Sequence, residues 1–196
     1  EVVHGMIPIL FSESATTFTS NGIGRLGEAI DCVCTEERNG GYELELKYPV
    51  TGKYFNEIKH SRIIVAKPAQ SESNQAFRIY KISKPMIDGT ITVNAHHISY
   101  QLSNIPVSPF GASSLEDALV KLKSNSMETN PFTLSTDKSS AVSFDVKVPT
   151  TCRSCLGGHE GSLLDVYGGE WHFNNYVCEL LNARGNDNGV TIRYGK

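Results

Sequence analysis

Cysteine and histidine gather in one stretch of this sequence. Cys152-x-x-Cys155 is followed by His159, His172 and Cys178. Thiolates and imidazoles are zinc ligands, and a C-x2-C pair is a usual half of a structural zinc site. The other half is absent: there is no second C-x2-C and no H-x3-H. A redox use of the pair needs a thioredoxin-like βαβ setting, which the surrounding pattern lacks. A nucleophilic thiol needs a base, and the base needs an orienting group. Cys155 with His159 or His172 offers the first, but no Asn or Asp stands out as the second. We therefore expect Cys152, Cys155 and Cys178 to be packing residues and His159 and His172 to be loop or core residues. No catalytic, metal or cofactor role is assigned, and a metal on Cys152, Cys155, His159 and Cys178 stays an open alternative.

Other groupings carry less chemistry. His96 and His97 are adjacent on a strand pattern, so they face opposite ways and make poor co-ligands; one is expected at the surface and one in the core. Cys32 and Cys34, two apart, share a face and read as core filling. Gly22-Ile23-Gly24-Arg25-Leu26-Gly27 imitates a dinucleotide fingerprint, but its last glycine is one place late and no βαβ unit surrounds it. Asp187-Asn188-Gly189 lacks the rest of a calcium loop. Glu36-Glu37-Arg38 reads as a solvated strand end. Trp171 reads as packing; its alternative, with the eight tyrosines, is a stacking platform for carbohydrate.

Composition bounds the class. Eighteen basic against 21 acidic residues give a net charge of −3, so a general basic surface for nucleic acid is excluded. Hydrophobic content of 39% is too high for a disordered chain. A chain of 196 residues buries about 70% of its unfolded surface and needs no staples. Five cysteines, an odd count, argue against a disulfide framework and for a reducing compartment. No apolar run reaches the ~18 residues of a membrane helix. Glu1 to Phe11 lacks the basic start of a secretory signal, and Met6 is expected as the natural first residue.

The elements that must position these residues are mostly strands. Ala29 to Thr35 and Tyr42 to Tyr48 are expected to form a hairpin across Asn39-Gly40-Gly41, the second strand alternating Tyr42, Leu44, Leu46 and Tyr48 with charges. Further strands are expected at Arg62 to Ala66, Phe77 to Ile82 and Ile91 to Ala95. The first hundred residues thus read as a small antiparallel sheet or barrel. Ser113-Ser114-Leu115-Glu116 has capping-box spacing and opens a helix with Leu115, Ala118, Leu119 and Leu122 on one face. Val142 to Val148 reads as a strand, Ser162 to Tyr167 as a short helix, and Glu170 to Phe173 with Val177 to Leu181 as a hairpin across Asn174-Asn175. Val190, Ile192 and Tyr194 begin one more strand, a pattern that points to a longer protein.

Whole phrases also match a family in order: Asn21-Gly22-Ile23-Gly24-Arg25-Leu26, Thr35-Glu36-Glu37-Arg38-Asn39-Gly40, Arg62-Ile63-Ile64-Val65-Ala66-Lys67-Pro68, His97-Ile98-Ser99-Tyr100, Ile105-Pro106-Val107-Ser108-Pro109-Phe110, Asp165-Val166-Tyr167-Gly168-Gly169-Glu170 and Asn188-Gly189-Val190-Thr191-Ile192-Arg193-Tyr194-Gly195. From about Met6 onward the chain resembles the N-terminal region of phage minor structural proteins, the tail-associated lysin or prophage endopeptidase tail family of siphophages of Gram-positive bacteria.

The resemblance implies a mainly β, α+β protein: a tail-tube-like antiparallel β-barrel domain, residues 1–108 plus 185–196, with a small α+β domain, residues 109–184, inserted. It implies a baseplate hub at the distal end of the tail tube, through which DNA passes, with a lytic or host-binding part attached C-terminally. The implied place is the virion tail tip, after synthesis in the host cytoplasm. The implied partners are the distal tail protein, the tape-measure protein, the tail tube and, in the longer protein, two further copies in a trimer. This chain alone is expected to be monomeric or weakly associating. No enzymatic activity, cofactor, specific nucleic-acid binding or membrane insertion is expected of it. The competing readings are a cell-wall peptidase using Cys155, His159 and Cys178, and a carbohydrate-binding β-module.

Overall fold

Alternation of apolar and charged residues sets the first half of the molecule. The computed structural model describes residues 7–85 and 87–185. Strands β1 (Ile9–Phe11), β2 (Gly24–Arg25), β3 (Asp31–Glu36), β4 (Tyr42–Pro49), β5 (Ile63–Ala66), β6 (Gln75–Ile82) and β7 (Thr90–His97) form one sheet. Its order is β2-β1-β5-β6-β7-β4-β3, antiparallel throughout. The sheet curls into a half-barrel. On β4, Tyr42, Leu44, Leu46 and Tyr48 are buried while Glu43 and Glu45 are exposed, as a half-buried strand requires. On β5 all four residues are buried. One face of β5 joins the main core, and the other meets Phe11, Ala76 and Ile98, with Phe18 and Tyr176 packed against them. A register shift between Ile79 and Lys81 puts an extra residue into β6 opposite β7. Such a bulge bends the strand and adds twist, which helps the sheet curl.

A 3-10 segment, Ile98–Asn104, leads from β7 into the second half. There β8 (Pro106–Val107) pairs with β12 (Thr150–Thr151), and β9 (Phe110–Ala112) pairs with β11 (Phe144–Val146). Between them run helix α1 (Leu115–Ser124) and β10 (Thr133–Thr136). Helices α2 (Cys152–Leu156) and α3 (Leu163–Tyr167) precede the hairpin β13 (Glu170–Asn174) and β14 (Val177–Leu181); β10 lies parallel to β14. The chain is therefore mostly β with small α+β parts. One contiguous core runs from Leu10 on the sheet to Leu180 on β14, through the apolar face of α1. The strand expected from Val190 lies outside the described residues.

Three expectations need correction. The helix cap sits one residue later than Ser113 and Glu116 indicated. Ser114 is the N-cap and accepts the Asp117 amide, while Asp117 accepts the Ser113 amide at 2.9 Å. Asp117 is the shorter acid, and its Lys121 partner at 3.0 Å favours that register. The strand expected over Val142 to Val148 shrinks to β11. Its partner β9 is only three residues long, and by Thr150 the chain pairs with β8 instead. Val142 and Val148 are consequently exposed. Finally, Cys152 and Cys155 lie on a helix that the sequence reading did not place: Thr151 caps it by accepting the Ser154 amide.

Candidate functional site

The cysteines and histidines of the second half do not converge. Cys152 opens α2 and meets Ser126 Oγ at 3.6 Å and Asn130 Nδ2 at 3.5 Å. Cys155, one turn on, and Cys178, on β14, are buried. Burial pushes both thiols up to about 12, so at neutral pH each is the protonated, weakly nucleophilic form. His159 is exposed, with Nδ1 2.8 Å from the Glu160 carbonyl oxygen. His172, on β13, lies between Glu179 at 3.1 Å and Glu72 at 3.4 Å. Among the described residues no group of three or more His, Cys, Asp or Glu is placed to hold a metal ion.

Elsewhere the pairs separate as strand geometry requires. His96 points outward, stacked between Tyr80 at 3.8 Å and Tyr100 at 4.3 Å, with Nε2 3.3 Å from Glu43. His97 points inward and is fully buried. Cys32 and Cys34 share the inner face with Leu46 and Leu44 of β4 and are partly buried. Gly24 of the glycine-rich phrase makes room for a ring: a Cβ there would lie 2.0 Å from Tyr54. Trp171 is buried, its Nε1 donating to the Leu156 carbonyl at 3.1 Å.

What the structure does assemble is a polar seam between the half-barrel and the second half. His97 lies at its centre. Its Nδ1 accepts the Ser99 amide, so the ring proton sits on Nε2 and is donated to Gln75 Oε1 at 3.1 Å. Burial, with the Arg153 and His172 charges adding, pushes the His97 pKa down to about 3. The same Gln75 oxygen accepts the Asn175 amide at 2.8 Å, and Gln75 Nε2 donates to Asn174 Oδ1 at 3.0 Å. Asn175 Oδ1 accepts the Ala76 amide, and its Nδ2 donates to the Asn74 carbonyl. The turn of the β13–β14 hairpin is thus bound to the start of β6.

A second turn does the reciprocal job. Asn39, at the tip of the β3–β4 hairpin, donates to the Gly169 carbonyl at 3.0 Å and accepts the Trp171 amide at 2.8 Å. Both turn residues have left-handed backbone, with φ of 54° at Asn39 and 52° at Asn175, a region Asn tolerates better than most residues. Between the turns, Arg153 lies over Tyr100 at 4.8 Å and Phe173 at 5.3 Å.

At one end the seam opens into a cleft of about 610 Å³, lined by Glu36, Arg38, Glu72, Glu170, His172 and Arg184 among others. Its charges are matched pairwise. Arg184 pairs with Glu36 and, at 3.6 Å, with Glu72; Arg38 pairs with Glu170 at 2.7 Å. Glu36 is exposed at the end of β3, as expected, and its carboxylate also binds a residue 148 positions later. The sequence marked Asn39 and Asn174-Asn175 as turns only. Nothing local signals that their carboxamides grip another element.

No protein-family model matches the chain, and no curated protein sequence matches it. The crystal structure of prophage tail protein gp18 from Listeria monocytogenes EGD-e aligns over 90% of this chain with a TM-score of 0.68 and 14% identity. The chain shares the fold of that tail protein. It spans half of that protein's length.

Proposed function

We propose that this chain is a structural, non-catalytic module of a phage or prophage tail, part of the baseplate hub at the distal end of the tail tube. The fold likeness to a prophage tail protein, extending over 90% of the chain, carries the reading. The ordered phrases that resemble the hub family support the finer placement. The geometry supports a structural use of the polar residues: in the seam they are bonded across from the half-barrel to the second half. A cysteine peptidase would need an imidazole beside its thiol, whereas Cys155 is buried, His159 is exposed and His172 is held between two glutamates.

In this reading the partners are the distal tail protein, the tape-measure protein and the tail tube, with a trimer formed by the longer protein. The net charge of −3 suits a ring that passes DNA without holding it. The residue division 1–108 plus 185–196 against 109–184 belongs to the same proposal. In-frame deletion of the coding region for this chain from the phage or prophage genome tests it. Expected are particles with no completed tail tip and no infectivity. Morphologically normal, infectious particles would contradict the role.

A further inference from the structure

Beside the Asn39 turn the seam holds a pocket of about 260 Å³. Asn39, Gly40 and Tyr100 line it from the β3–β4 turn and the 3-10 segment; Arg153, Trp171 and Phe173 line it from α2 and β13. Its polar side chains are engaged, with one exception. Asn39 uses both ends of its carboxamide, on Gly169 and on Trp171. The Trp171 indole donates to the Leu156 carbonyl.

Arg153 is the exception. Tyr100 and Phe173 lie against its guanidinium as rings, but its N–H groups are poorly met. They reach Ser99 Oγ and the Gly40 carbonyl, each at 3.4 Å, beyond the usual limit of ~3.2 Å. No carboxylate answers the charge: among the described residues no Asp or Glu lines the pocket, and the ionisable groups that act on Arg153 are Tyr100 and Cys178. Burial pushes its pKa below the ordinary arginine value. In the larger cleft of the seam, by contrast, Arg38 and Arg184 each have a glutamate. A charge drawn out of water without a counter-charge is unfavourable, and a guanidinium fits a carboxylate through two parallel bonds.

We infer that this pocket binds an organic carboxylate with a small flat body, the acid on the Arg153 guanidinium and the body against Trp171 and Phe173. Those two rings are nearly parallel, at 15° with centroids 6.1 Å apart, and offer an apolar aromatic wall. The volume sets the size class. It lies below the ~300–1,000 Å³ of drug-sized sites, so it takes a small free acid or the carboxyl end of a polypeptide. One wall belongs to the half-barrel and the other to the second half, so a bound acid joins the two. This site rests on the residues named and is independent of the tail reading.

Titration of the full chain tests it. The chain has one tryptophan, so its indole N–H is a single reporter on the pocket wall. The 15N-labelled protein is titrated with benzoate, with benzamide as its neutral match. It is also titrated with a short peptide ending in a phenylalanine carboxylate, with the C-terminal amide as its neutral match. A saturable shift of the Trp171 indole and Arg153 side-chain signals is expected with at least one acid, at a Kd on the order of 1 mM. The neutral match of that acid should bind about tenfold more weakly or worse. Tighter binding of benzoate assigns the site to a free small acid, and tighter binding of the peptide assigns it to a chain end. Arg153→Lys keeps the charge but loses the paired geometry and should weaken the acid about tenfold; Arg153→Gln should abolish its binding. No saturable shift with either acid, equal binding of acid and amide, or undiminished binding by Arg153→Gln would overturn the site. The acid-against-amide comparison uses the unsubstituted chain and decides the matter even if a variant fails to fold.

Discussion

His97 and Asn175 share one oxygen: Gln75 Oε1 accepts the His97 Nε2 proton at 3.1 Å and the Asn175 amide at 2.8 Å. That carboxamide ties the last residue of β7 to the turn between β13 and β14 through a single buried side chain.

Gln75→Leu should therefore be among the most damaging single substitutions. It keeps the approximate volume and leaves the His97 Nε2–H and the Asn175 amide without a partner. Each unsatisfied buried donor costs about 1–3 kcal/mol, so a loss of roughly 2–6 kcal/mol is expected in urea unfolding. Thr92→Leu, a half-buried site on β7 outside the seam, is the control and should cost little.

Stability should fall on acidification through His97. Its folded pKa, about 3, lies below the ordinary histidine value. Between the two, the unfolded chain binds the proton and the folded chain does not, so stability rises with pH in that window. The benefit of a neutral His97 is complete above about pH 6.5 and is lost progressively as pH falls toward 3, at up to ~1.4 kcal/mol per pH unit. His97→Gln should flatten this part of the pH profile relative to the unsubstituted chain. Identical slopes for the two would contradict the assignment.

Asn39 does two things that substitution can separate. Asn39→Gly keeps the left-handed backbone and loses the bonds to Gly169 and Trp171; a cost of about 1–3 kcal/mol is expected. Asn39→Ala loses the same bonds and adds the left-handed penalty of about 1 kcal/mol. Thermal or chemical unfolding should rank the alanine variant below the glycine variant.

The cap register of α1 gives a local test. Ser114→Ala removes the oxygen that accepts the Asp117 amide and should cost about 1 kcal/mol. Ser113→Ala leaves its own amide free to bond Asp117 and should be nearly neutral. The reverse order would restore the register first read from Ser113 and Glu116.

The half-barrel was legible because its signals are local. Tyr42 to Tyr48 alternates cleanly, and Asn39-Gly40-Gly41 marks a turn whose chemistry does not depend on distant residues. The apolar face of α1 was legible for the same reason. The second half was harder. Thr133–Thr136 has no strand signal of its own and is drawn into the sheet by parallel pairing with β14. The three-residue strand β1 and the two-residue strands β8 and β12 are defined by their partners. The seam was the least legible: Gln75, Asn39, Asn175 and Arg184 act across 99 to 148 positions, and no spacing rule spans such distances. For the Cys152 and Cys155 pair, the missing second half-site pointed to packing, and the structure places both in the core on α2.

The most direct measurement of the tail assignment is location. Particles purified from the phage, or from the induced prophage, are labelled with gold-conjugated antibody raised against this chain and imaged by negative-stain electron microscopy. The proposal predicts gold at the end of the tail away from the head. Gold confined to the head, or purified intact particles that carry no label and yield no peptide of this chain by mass spectrometry, would contradict it.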